Sequence, residues 1–188
     1  MKSGGGNIAP ETRGSAMNND NAILAYYQAI QEGRIVVGKW IRMLYEVIVD
    51  GMEKKRWLFD QRKASNAIRF IERFCHHYKG ELAPQRITLS LWEKAAISVM
   101  FGIVDDEGIR QFTECLFVVG RKNGKTLLAA GIMTYIAYAV GEFGSELFFL
   151  APKLDQADLC FSAFEFNAMH EPDLEKRTKS TKSRGLYV

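Results

Sequence analysis

The chain has 188 residues, 47% hydrophobic and 25% charged, with a formal net charge of +3. That size and balance suit a globular domain with its own core and exclude a low-complexity or strongly polyelectrolyte chain; so slight a charge says nothing for or against nucleic acid. No apolar run approaches the ~20 residues that span a bilayer, so no membrane partner is expected, and three cysteines without paired spacing point to a reducing compartment rather than a disulfide framework.

Residues 1–19 carry Gly4, Gly5, Gly6 and several asparagines, with neither the apolar core nor the layout of a signal peptide, and are expected to be disordered. A helical prefix follows over 20–84. Its first helix spans 21–32 and is closed by Gly33. Its second spans 36–52 and places Val36, Trp40, Leu44, Val47 and Ile48 on one face. Trp57, Leu58 and Phe59 read as a connector, and Asp60 as an N-cap. The third helix sets Ala64, Ala67, Ile68, Ile71, Phe74, Cys75 and Tyr78 in one stripe. It is expected to stop at Lys79 and Gly80, where glycine suits the left-handed position after a helix. Cys75, His76 and His77 lack a second ligand pair at zinc spacing and read as a histidine-rich helix end.

From residue 85 the pattern changes. Ser90 and Glu93 form a capping box that starts a helix over 91–101, closed by Gly102; Trp92 within it reads as a core residue. An acidic turn over 104–108 and a strand over 109–112 lead to Cys115, Leu116, Phe117, Val118 and Val119, a β-former-rich run expected to be a buried strand. It breaks at Gly120. The loop Gly120, Arg121, Lys122, Asn123, Gly124, Lys125, Thr126 follows, and Leu127, Leu128, Ala130 and Ile132 open a helix. Strand, loop ending Gly-Lys-Thr and helix is the layout of a phosphate-binding loop. Its backbone N–H groups face an anion, its lysine adds a full charge at the β/γ-phosphates, and the hydroxyl after the lysine ligates Mg²⁺. The standard pattern has glycine five residues before Gly124, where Val119 stands. Gly120 comes one residue late, so the loop is a variant with basic residues in place of small ones. A basic turn with an incidental Gly-Lys-Thr is the alternative.

Gly141 reads as the C-cap of that helix and 142–145 as a loop. Residues 147–151 read as a second buried strand ended by Pro152, and the helix after it carries Ala157, Cys160, Phe161, Phe164 and Ala168 on one face until a break at 170–172. Two strands each followed by a helix predict an α/β fold: a three-layer parallel sheet of the P-loop NTPase type, incomplete, with a helical segment before it. The basic run Lys176, Arg177, Lys179, Lys182, Arg184 reads as a solvated loop, and 185–188 as the start of a third strand. Nothing reads as an apolar strand ending in Asp-Glu, the acid that nucleotide hydrolysis needs. Asp105, Asp106 and Glu107 precede the loop, and Asp155 and Asp158 lie on a helix. The 85–188 core is therefore expected to be a fragment truncated before its Walker B acid.

From Trp57 to Ala168 the order of motifs resembles the N-terminal ATPase region of the tailed-phage terminase large subunit. Phe59 and Asp60 with their helix, His77-Tyr78-Lys79-Gly80, Leu89-Ser90-Leu91-Trp92-Glu93, the 120–126 loop and Ala151-Pro152-Lys153-Leu154-Asp155-Gln156-Ala157 carry it. The resemblance implies ATP and Mg²⁺ as cofactors, Lys125 at the β/γ-phosphates, Thr126 on Mg²⁺ and Arg121 near the γ-phosphate. It also implies the loop residues Gly120, Lys122, Asn123 and Gly124 around the nucleotide, and an adenine contact at Trp92 and Glu93. Glu93 departs from the family glutamine and, accepting only, cannot donate to adenine N1. The implied parent is a packaging motor and endonuclease in the host cytoplasm, transiently at the procapsid portal. Double-stranded viral DNA, a portal protein and a small terminase subunit would be its partners in a homo-oligomeric ring. A helicase-like or nucleotide-kinase P-loop protein, or an interaction module without catalysis, are the other readings the residues leave open.

Overall fold

The computed structural model describes residues 21–140, 146–180 and 186–188. The expected disorder of 1–19, the Gly141 cap, the 142–145 loop, Lys182, Arg184 and Gly185 lie outside them. Helix α1 (Ala22–Gln31) starts where the Asn21 side chain accepts hydrogen bonds from the N–H groups of Ile23 and Leu24, at 3.0 and 3.3 Å. Helix α2 (Lys39–Glu53) follows, then β1 (Leu58–Phe59) and α3 (Gln61–Phe74). Asp60 caps α3 by accepting from Lys63 N–H at 3.0 Å. Helix α4 (Leu91–Gly102) runs directly into β2 (Ile103–Val104), which pairs antiparallel with β1. Glu93 closes the α4 capping box, its carboxylate accepting from Ser90 N–H and from Ser90 Oγ.

The 104–108 turn forms as expected. Asp105 Oδ1 accepts from the N–H groups of Glu107 and Ile109, and the chain returns so that Arg110 bridges to Val104. Helix α5 (Lys125–Tyr135) widens into a π-turn at Ile136–Val140. Helix α6 (Leu154–His170), the short α7 (Pro172–Glu175) and the antiparallel pair β3 (Lys179–Ser180) and β4 (Leu186–Tyr187) complete the described chain.

Three apolar clusters hold these elements together. Ala67, Ile71 and Cys75 of the α3 face meet Ile97 and Phe101 of α4 and Leu128 and Ile132 of α5. Ile23, Tyr26 and Ile30 of α1 meet Tyr45 and Ile48 of α2 and Ala95 of α4. Ala130 and the π-turn's Tyr138 meet Ala163, Phe164 and Ala168 of α6. Small residues let the helices approach: a Cβ at Gly102 would stand 2.6 Å from the Phe59 ring and 2.9 Å from Ala64 Cβ, and one at Gly131 would stand 3.1 Å from Ile71 Cγ2.

Five expectations change. The strand expected over 109–112 is reduced to the single antiparallel bridge between Arg110 and Val104. The parallel sheet is not formed among the described residues, whose only strand pairs are the two short antiparallel ones; the architecture is mixed and helix-rich. Residues 115–119 and 147–151 are unpaired and largely exposed, with Leu116 at 89% and Leu150 at 90% of full exposure. An apolar β-forming run becomes a buried strand only where neighbouring strands supply ladder hydrogen bonds, and no other described segment pairs with either run. Only Phe149 of the second run reaches a core, packing on Phe161 and Phe164 at 5.8 and 5.6 Å between ring centres.

The α2 face also differs. Tyr45, Ile48 and Val49 are buried, while Val36 (93% exposed), Trp40, Leu44 and Val47 face outward. Apolar residues occupy most of the circumference of α2, so periodicity left the buried stripe ambiguous. Packing against α1 selects the Tyr45–Ile48–Val49 stripe.

Helix α3 ends at Phe74, not at Lys79. Cys75 turns to extended geometry, and the chain pairs antiparallel with 85–87: Ile87 N–H donates to Cys75 O and His77 N–H to Gln85 O, both at 2.9 Å. Those pairings replace the helical bonds, and Gly80, at φ +87°, serves the turn beyond instead. Last, β4 turns back antiparallel on β3 rather than opening a third parallel strand.

Ile71 is fully buried where α3, α4 and α5 meet. Ile71→Ala should cost about 2–5 kcal/mol, read as a lowered urea midpoint at unchanged slope.

Candidate functional site

Gly124 opens α5 from the left-handed region (φ +70°), as no β-carbon-bearing residue does without strain, and Lys122 two positions earlier is also left-handed at φ +64°. These two reversals coil residues 120–124 ahead of the first turn of α5, whose unpaired N–H groups carry the positive end of the helix dipole. Asn123 Nδ2 donates to Arg121 O at 3.3 Å inside the loop, and Leu128 N–H donates to Gly124 O at 2.9 Å in the first turn of the helix. Lys125 curls back over the loop, Nζ donating to Val119 O at 3.3 Å. Its ammonium thus lies across the loop, and Val119 stands where the standard pattern has glycine.

Residues 122–127 form one side of a cleft of about 200 Å³; His77, Tyr78 and Lys79 form the other. The volume suits a phosphate chain rather than a whole nucleotide. Of the sequence-predicted residues, Lys122, Asn123, Gly124, Lys125 and Thr126 line the cleft, while Gly120 and the exposed Arg121 do not. Trp92 is half-buried between the first two apolar clusters and is not at the cleft. Glu93 is close: a Cβ at Gly124 would stand 3.7 Å from Glu93 Oε1, while Oε2 is held by Ser90. The cleft lining contains lysines and a histidine but no carboxylate. A polyphosphate therefore fits the donor set, and for Mg²⁺ the lining offers the Thr126 hydroxyl. Residues 77–79 carried part of the family resemblance but no role at the site; they reach the loop only through the end of α3.

That far wall is pinned from behind. His76 N–H donates to Asn167 Oδ1 of α6 at 2.9 Å. The His76 ring is buried with Nε2 3.8 Å from the Glu171 carboxylate, beside His170 at 5.2 Å between ring centres. Burial pushes the His76 pKa below the ordinary histidine value; the Glu171 carboxylate opposes the shift without cancelling it, and His170 and Arg86 add to it. Burial likewise pushes the Cys75 thiol up to about 12, so it acts as a core residue. On the other wall Cys160 Sγ of α6 lies 3.7 Å from Thr126 O.

A family model described as the terminase large subunit, ATPase domain, matches residues 91–185, half of the chain. The chain belongs to the terminase large subunit ATPase-domain family. Among solved structures the crystal structure of the HK97 bacteriophage large terminase shares the fold of this terminase domain at a TM-score of 0.57, with 24% identity over 66% of this chain and 25% of that one. The chain thus spans about a quarter of that terminase's length. No match was found among curated proteins. The family is one of ATPases, which use a nucleotide. The matched segment holds α4, the loop, α5 and α6 of the terminase domain, and it begins after the wall at 77–79.

A histidine that is neutral when folded and charges more readily when unfolded costs stability as pH falls. The unfolded chain takes up its proton near pH 6.5, the folded chain only lower, so stability should decline as pH drops below about 6.5. Thermal melting of wild type and His76→Leu between pH 7.5 and 5.5 should show the wild type losing more on acidification; parallel slopes would refute the assignment to His76.

Proposed function

We propose that this chain is the ATP-binding part of a phage terminase large subunit, whose full-length form drives ATP-dependent packaging of double-stranded viral DNA and also cuts it. The observation that carries the proposal is the cationic cleft built on a left-handed Gly124, the N-terminus of α5 and the returning Lys125. In this reading the loop N–H groups and Lys125 hold the β/γ-phosphates and Thr126 ligates Mg²⁺. Mg²⁺ would supply charge neutralisation across the phosphates. Arg121, now outside the cleft, would reach the γ-phosphate only if residues 120–123 rearrange, which makes it a sensor rather than a fixed clamp. Trp92 and Glu93 would stand on the base side, with Glu93 accepting from a base amino group while it keeps the α4 cap.

The same reading makes 115–119 and 147–151 neighbouring strands of a parallel P-loop sheet in the full-length protein. Leu116, Val118, Phe148 and Leu150 would then be covered by strands from outside these residues; the quarter-length match to a phage terminase supports this. The Walker B acid, the catalytic glutamate and the nuclease would come from the same outside region, so the chain alone would bind nucleotide with little turnover. Portal protein, small terminase subunit and a homo-oligomeric ring in the host cytoplasm, at the procapsid portal, follow as partners and place of action.

Titration with methylanthraniloyl-ATP and Mg²⁺ tests the proposal. Lys125→Ala should weaken binding about ten- to hundredfold, the range of a lost charge-assisted contact. Saturating Mg·ATP should stabilise the wild type by about 2–3 kcal/mol at a hundred times its dissociation constant. Equal binding by wild type and Lys125→Ala would end the proposal.

A further inference from the structure

We propose that Lys79 is a nucleotide-binding residue: from the wall opposite the loop it places its ammonium on the phosphate chain held by Lys125. This rests on the nucleotide reading of the cleft given above. Three lysines line that cleft, Lys122 and Lys125 from the loop side and Lys79 from the far side. None of the three forms an ion pair with a carboxylate among the described residues. All three are exposed, so an anion entering between the walls would find each ammonium available to it.

The far wall is also built to stay in place. Its backbone is tied at Cys75, His76 and His77 to Ile71, Asn167, Gln85 and Ile87 by bonds of 2.9–3.0 Å. The exposed side chain of Lys79 rests over the Tyr78 ring with Nζ 4.6 Å from the ring centre. That contact holds the ammonium at the mouth of the cleft without satisfying it by an opposite charge. Glu93, whose Oε1 lies near Gly124, has its other oxygen held by Ser90. A triphosphate entering between the walls would meet cations on both sides, and residues outside the Gly-Lys-Thr motif would help decide how tightly it is held.

The test measures methylanthraniloyl-ATP affinity with Mg²⁺, and displacement of that probe by inorganic tripolyphosphate, for wild type, Lys79→Gln, Lys79→Arg, Lys125→Ala and Lys39→Gln. Lys79 is exposed, so circular dichroism and melting should show each Lys79 variant folded. Lys79→Gln should weaken both ATP analogue and tripolyphosphate about tenfold, Lys79→Arg by no more than about threefold, and Lys39→Gln, on α2, not at all. Wild-type affinity in Lys79→Gln alongside loss in Lys125→Ala would overturn the role of Lys79 and leave the nucleotide site standing. Loss for the ATP analogue but not for tripolyphosphate would also overturn it, since the contact would then not be to phosphate. No loss in Lys125→Ala would instead bring down the nucleotide reading on which this one rests.

Discussion

The width of the cleft depends on how closely α3 lies against α5. One wall is the extended continuation of α3 and the other is the loop that opens α5, so the contact between the two helices sets the gap between the walls. That contact is close because Gly131 carries no side chain where Ile71 presses on it, and Ala64 and Ala67 keep the opposite α3–α4 seam equally thin. Buried area at this junction does two things at once. It supplies hydrophobic stabilisation, and it fixes the separation of charged groups that sit well outside the core.

Electrostatics at the site follows from that geometry. The loop and the first turn of α5 present backbone donors, three lysines converge, and the Glu93 carboxylate is held in a helix cap. The cap has a second consequence: Glu93 lies beside Gly124, so the start of α4, the first helix of the family-matched segment, sits close to the loop.

Short-range chemistry was legible in the sequence. Asp60 and the Ser90–Glu93 pair cap the helices they were expected to cap, and the Gly-Lys-Thr tripeptide opens a helix from a left-handed glycine. What the sequence hid was decided by partners far along the chain. The runs at 115–119 and 147–151 have the composition of strands, yet composition does not provide neighbours for their ladders. Helix α2 is apolar over most of its circumference, so its buried side is chosen by α1. Helix α3 stops early because 85–87 and Asn167 offer its last residues better hydrogen bonds than another helical turn would. Lys79 and Lys122 are 43 positions apart and share a cleft for that same reason.

Helix α6 touches both jaws of this vice. Asn167 grips the backbone behind one jaw, and Cys160, seven positions earlier and about 10 Å away along the axis, rests against the backbone of the other. A strut fastened at two such points resists spreading, so α6 holds the two walls at one separation. Its far end at His170 is tied to that spacing through the backbone of the helix alone.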